Sequence, residues 1–176
     1  MFNINLKTNY MGFDLHGKAP QTPKQNVKEI NSIRRKIQQV ISDPEMDTED
    51  KDTKVWAYEE TIEQLSPGVY FRNNNWWWRP LWLYVIDICK DIITEKDMTS
   101  GAFNDGHLIS KLKSKRIAKR IRDAEASGDL DLYCTIYNKE QKKLPKDDWR
   151  NGYPFSIENA LQFATFSDHS GGFQIY

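Results

Sequence analysis

The chain has 176 residues, enough for one domain that buries a core without disulfide or metal support. Its 25 Lys and Arg balance 25 Asp and Glu, so net charge does not draw the whole molecule to nucleic acid. Two cysteines, outside any CxxC spacing, are too few for a zinc site and read as buried free thiols; no apolar run reaches the roughly 18 to 20 residues that span a bilayer, and MFNINLKTNY holds no signal peptide.

The expectation is a soluble protein of a reducing cytoplasm. Charge is nevertheless segregated along the chain. Asp43 to Glu63 is acidic, whereas Lys111 to Arg122, KLKSKRIAKRIR, has seven bases and no acid. Such a separation makes a local field that can steer an anion.

Taken in order, MGFDLHG (11–17) alternates Phe13 and Leu15 with Asp14 and His16 and stops at a glycine, which predicts a short strand. SGGFQIY, at the other end, places Phe173 and Ile175 in the same period, and the two strands are expected to pair. Val27 to Ile41 carries apolar residues at helical spacing, SDPEMDTEDKD reads as a solvated acidic loop, and Val55 to Leu65 is a second helix stopped by SPG. Pro80 suits a first helical turn, where its missing N–H has no partner to lose. Leu81, Val85, Ile88, Cys89 and Ile92 then form one face of a central helix.

TSGAFNDGH is a loop by its glycines and Asn-Asp pair. A basic helix is expected over Leu108 to Ala126, ended by Ser127-Gly128, followed by a helix over Leu130 to Gln141. LPKDDWRNGYP is a turn-rich connection, and Ser156 caps a last helix over Ile157 to Ser167. The fold class is mainly α (α+β): a helical domain around the helix after Pro80, with a small antiparallel sheet from the first and last strands. Residues 1–176 form a single domain in which 21–67 is a helical insertion.

MGFDLHG, YFRNNNWWWRPLW, FNDGHLIS, YPFSIENALQFATF and SGGFQIY resemble, in this order, a family of small proteins encoded mainly by bacteriophages. The resemblance covers roughly two-thirds of the chain and implies a phage protein working in the cytoplasm of its bacterial host. In the family the first strand reaches the Tyr-Phe-Arg-Asn-Asn block after a short linker; here Gln21 to Pro67 intervenes, as a lid, a dimerisation arm or decoration.

Three stretches carry candidate chemistry. In YFRNNNWWWRPLW, Arg72 and Arg79 match phosphate or carboxylate by bidentate hydrogen bonds, Asn73 and Asn74 can read a base edge, and Trp77 or Trp78 can stack on it. Three consecutive Trp cannot face one way, so part of the block packs inward. In FNDGH, Asn104, Asp105 and His107 stand where the basic helix is expected to begin, with Lys111 in its first turn, either as an anion site or with Asn104 or Asp105 as a plain cap. In SDHSGG, Ser170 and Gly171 form either an anion-binding nest or a helix stop.

The expected function is a non-enzymatic binding protein that captures a small anionic nucleotide-like ligand, by the resemblance a host immune signal sequestered in the host cytoplasm. The alternatives are a nucleotide-processing hydrolase using His107 and Asp105, or an inhibitor of a host enzyme acting through an aromatic patch. The spacing of His16, His107 and His169 does not argue for a metal, and no Walker, Rossmann, GxSxG or HExxH signature implies a cofactor. Nucleic acid and membrane are not expected partners; a homo-oligomer is compatible with the insertion.

Overall fold

Period-two alternation brings the first and last strands together in the computed structural model, which describes residues 12–145, 147–148 and 152–176. Strand β1 (Gly12–Gly17) pairs antiparallel with β4 (Phe173–Ile175), with Leu15 opposite Ile175 and His16 opposite Gln174. Met11, expected in β1, lies outside the described residues. The sheet is larger than those two strands. Its order is β2-β1-β4-β3, with β2 (Tyr70–Asn74) and β3 (His107–Ile109) as antiparallel edges.

The helices are α1 (Val27–Ser42), α2 (Thr48–Leu65), α3 (Asn75–Ile88), α4 (Glu95–Ser100), α5 (Lys111–Ser127), α6 (Asp129–Gln141) and α7 (Ile157–His169). The molecule is mainly α, as expected. One sheet face supplies Phe13, Leu15, Phe71, Ile109, Phe173 and Ile175 to the core; α3, α5, α6 and α7 supply Trp78, Trp82, Ile117, Ile121, Leu130, Phe163 and Phe166, all buried. Burial pushes the Cys89 thiol up to about 12, so it behaves as a small inert hydrophobe.

Four local expectations are corrected. Helix α3 begins at Asn75, not near Pro80: Asn74 caps it, its side-chain oxygen accepting from the Trp77 N–H at 3.1 Å. Pro80 is therefore an interior residue that withholds a donor from the Trp76 carbonyl. Leu108 and Ile109 are strand rather than helix, and His107 strand rather than loop, because pairing with β4 claims them; Ser110, not Asn104 or Asp105, caps α5 and accepts from Lys113 N–H. The acidic stretch is partly helical: Asp47 caps α2, and Glu49 and Asp50 sit in a first turn whose dipole favours acids. A short helix, α4, was not foreseen; Thr94 and Asp97 close a capping box around its start.

After α7, Gly171 and Gly172 take φ values of +66° and +92°, turning the chain into β4 against Ala19 and Ile109. The segment 21–67 is largely one helical hairpin, α1 packed on α2, closed at its base by Asn26 Nδ2 donating to the Leu65 carbonyl at 2.9 Å and tied to the body by the Gln21 N–H donating to the His169 carbonyl at 2.7 Å.

Candidate functional site

The Trp block splits at the strand-to-helix turn, and its parts go to different places. On β2, alternation sends Phe71 and Asn73 inward and Arg72 outward. Arg72 lies opposite Asp14 in the ladder, Nε to Oδ1 3.6 Å. Buried Asn73 donates to Asn159 Oδ1 at 3.0 Å, and Asn159 Nδ2 donates to the Trp77 carbonyl at 3.3 Å, tying β2 and α3 to α7. Arg72, Asn73, Trp77, Glu158 and Asn159 line a shallow polar groove.

Trp78 and Trp82, one turn apart on α3, are buried and stacked, with ring centroids 5.3 Å apart and an interplanar angle of 15°. Their indole N–H groups are already used, Trp78 Nε1 donating to the Gly101 carbonyl at 2.9 Å and Trp82 Nε1 to the Met98 carbonyl at 3.0 Å. Gly101 lies flat on the Trp82 ring; a Cβ there would stand 2.1 Å from Cζ2. These indoles therefore act as apolar walls.

They enclose, with Ala102, Leu83, Ile86, Tyr137 and Tyr153, a cavity of about 350 Å³, which also has Arg79 and Gln141 in its lining. Arg79 is exposed to solvent. Gln141 Oε1 is buried with no hydrogen-bond partner, an acceptor left unmet. Among the described residues, carboxylate, imidazole and thiol do not occur in that lining.

His107 belongs to a third location. From β3 its Nε2 lies 2.9 Å from Asp97 Oδ1, while Lys113 of α5 binds Oδ2 and the Thr94 N–H and Oγ1–H each donate to Oδ2 at 2.7 Å. Burial of Asp97 works against its charge, yet the hydrogen bonds from Lys113, Thr94 and His107 outweigh it and hold the carboxyl well below the ordinary range. This cluster locks α4, β3 and α5 together. Asp105, expected as His107's partner, is exposed, and Asn104 Nδ2 reaches the Gly12 carbonyl at 3.4 Å.

Ser170 is fully buried; its Oγ donates to the Ser167 carbonyl at 3.0 Å and meets Ser114 Oγ at 3.0 Å, which makes it a joint between α5 and the α7–β4 turn. Lys111 is exposed at the start of α5. The basic run of α5 is spread around the helix and largely engaged: Arg116 and Arg120 with Asp91, Lys119 with Asp123, Arg122 with Thr165.

The expected single hollow shared by Arg72, Arg79 and His107 is thus not formed: Arg72 lines the polar groove, Arg79 the aromatic cavity, and His107 neither. Among the described residues no group of three His, Cys, Asp or Glu is placed to hold a metal, and no helix is long and apolar enough to cross a membrane. No protein-family model matches the chain, and no curated protein or solved structure matches it.

Sequence reading missed Trp82, Tyr137, Gln141 and Tyr153 as cavity residues, and Asp97 as the partner of His107. Three of these left a trace. Thr94-x-x-Asp97 fits a capping box, and Tyr137 and Gln141 are spaced to share one face of α6.

Proposed function

We propose that the protein is a small-molecule binder whose site is the aromatic cavity between α3 and α6, and that its ligand joins a flat ring system to an anionic group. The observation that carries this reading is the unmet Gln141 Oε1 inside a largely apolar, aromatic-lined cavity. Such an acceptor calls for a ligand N–H or O–H, the apolar lining of Leu83, Ile86, Tyr137 and Tyr153 for a hydrophobic ring, and the Arg79 guanidinium for a phosphate or carboxylate. A nucleotide combines all three. A volume of about 350 Å³ sits at the small end of ligand pockets, favouring a mononucleotide-sized molecule over a larger one.

Binding is favoured over turnover because, among the described residues, no carboxylate, imidazole or thiol lines the cavity. A hydrolase acting through His107 and Asp105 draws no support from the geometry, since Asp97 holds His107 away from Asp105. The resemblance to phage proteins extends the proposal to its setting: sequestration of a host signalling nucleotide in the bacterial cytoplasm.

Calorimetry with a panel of nucleoside mono- and diphosphates and cyclic nucleotides tests the proposal. The expected result is binding by at least one, with intact ligand recovered by chromatography after heat release. Failure of every anionic nucleotide to bind, or recovery of a cleaved product, would overturn it.

A further inference from the structure

The hairpin formed by α1 and α2 carries charge that it does not use internally. Ile30, Ile33, Ile37 and Val40 recur along α1 at intervals of three and four, and Lys51, Val55, Tyr58, Ile62 and Leu65 do so along α2. These are the two seams of an antiparallel coiled-coil pair: Ile30, Ile33 and Val40 are buried, and the α2 seam is half-buried.

Beside the α1 seam, Val27, Arg34 and Ile41 follow at intervals of seven, a stripe of about 21 Å that runs nearly along the axis. Val27 and Ile41 are exposed. On α2, Trp56 is 65% exposed, and three of its four helical neighbours, Asp52, Glu59 and Glu60, are carboxylates, with Glu63 two turns on.

The two helices are opposite in charge: α1 has four bases against one acid, α2 six acids against two bases. Yet no ion pair joins them among the described residues. Lys36, which does reach across, sits over the Tyr58 ring at 5.9 Å.

We infer that this hairpin docks on the hairpin of a second copy of the chain, with α1 of each lying along α2 of the other. The charges select that occupant and that pairing. A two-fold axis sets both positive helices on both negative ones, whereas α1 on α1 or α2 on α2 places like charges together. In this arrangement the Val27–Ile41 stripe covers Trp56, and Arg34 enters the carboxylates around it. The product is a four-helix bundle, in which each hairpin gains the second buried seam that it lacks alone.

Sedimentation equilibrium on the full chain is expected to give twice the 20.7 kDa of one copy, with dissociation strengthening as salt rises. The double variants Arg34→Glu/Arg35→Glu and Glu59→Lys/Glu60→Lys should each be monomeric. Mixed, they should form a dimer containing one copy of each, because both cross-contacts are attractive again. Trp56→Ala should weaken self-association roughly tenfold or more. Circular dichroism confirms in each case that the hairpin is still helical. A wild-type chain that stays monomeric up to its solubility limit would overturn the inference. So would a dimer that survives both reversals, or a mixture that fails to restore it.

Discussion

At Asp97 four donors meet one buried carboxylate: the Thr94 N–H and hydroxyl, His107 and Lys113. Because the folded carboxyl titrates below its unfolded value of about 3.9, the charged form contributes stability above that pH and loses it as pH falls through the folded value. Asp97→Asn should cost about 3 kcal/mol at neutral pH, as expected when one member of a buried ionic cluster is neutralised. The gap from wild type should close as pH drops below about 4, which thermal melts in acid buffers would follow. Melts with an unchanged gap across that range would remove the ionic role of Asp97.

The two arginines invite the same residue-by-residue test. Arg79→Ala should weaken nucleotide binding by about 2 kcal/mol, roughly thirtyfold, the scale of a lost charge-assisted hydrogen bond. Arg72→Ala should leave affinity unchanged, since Arg72 lines a different groove and faces Asp14. Equal losses from both would mean that the ligand lies elsewhere.

Among the elements, α3 depends on two contacts that the Trp block alone does not suggest, one at its start and one on the Trp82 ring at its middle. Asn74, expected among the ligand-binding asparagines, caps the helix. Asn74→Ala should therefore lower stability by about 1 kcal/mol, a melting shift of about 3 °C, and leave ligand affinity within roughly twofold. Gly101→Ala presses a methyl into the Trp82 ring and should destabilise by about 2 kcal/mol while weakening binding, because that ring is a cavity wall. Differential scanning calorimetry and titration together separate the two variants.

What could be read locally was helix existence: α1, α6 and α7 follow from apolar spacing, and Ser156 caps α7 as its position suggests. What could not be read depended on distant partners. Strand β3 is three residues long, too short for a period, and exists because β4 pairs with it some 65 residues later. The start of α2 was hidden because Asp and Glu signal solvent before they signal a helix N-terminus.

Across the whole molecule, the first and last strands occupy the centre of the sheet and the interior blocks its edges. Alternation in MGFDLHG and SGGFQIY was enough to expect that pairing. Convergence of the functional side chains was not readable, because it turns on direction: β2 sends Arg72 to the open side of the sheet, and α3, entered one residue after β2 ends, carries Arg79 round to face α6. Proximity in sequence thus separated two groups that composition had joined, and brought Tyr137, Gln141 and Tyr153 to Trp78 instead.

The central claim is that this aromatic cavity is a ligand site, and filling it is the most direct test. Ala102 lines the cavity, so Ala102→Leu occupies its space while Arg79 and Gln141 stay unsubstituted. Calorimetric titration of wild type and this variant with the best nucleotide of the panel should show affinity falling at least roughly tenfold in the variant while its melting temperature holds. Equal affinity in the filled protein would contradict the account.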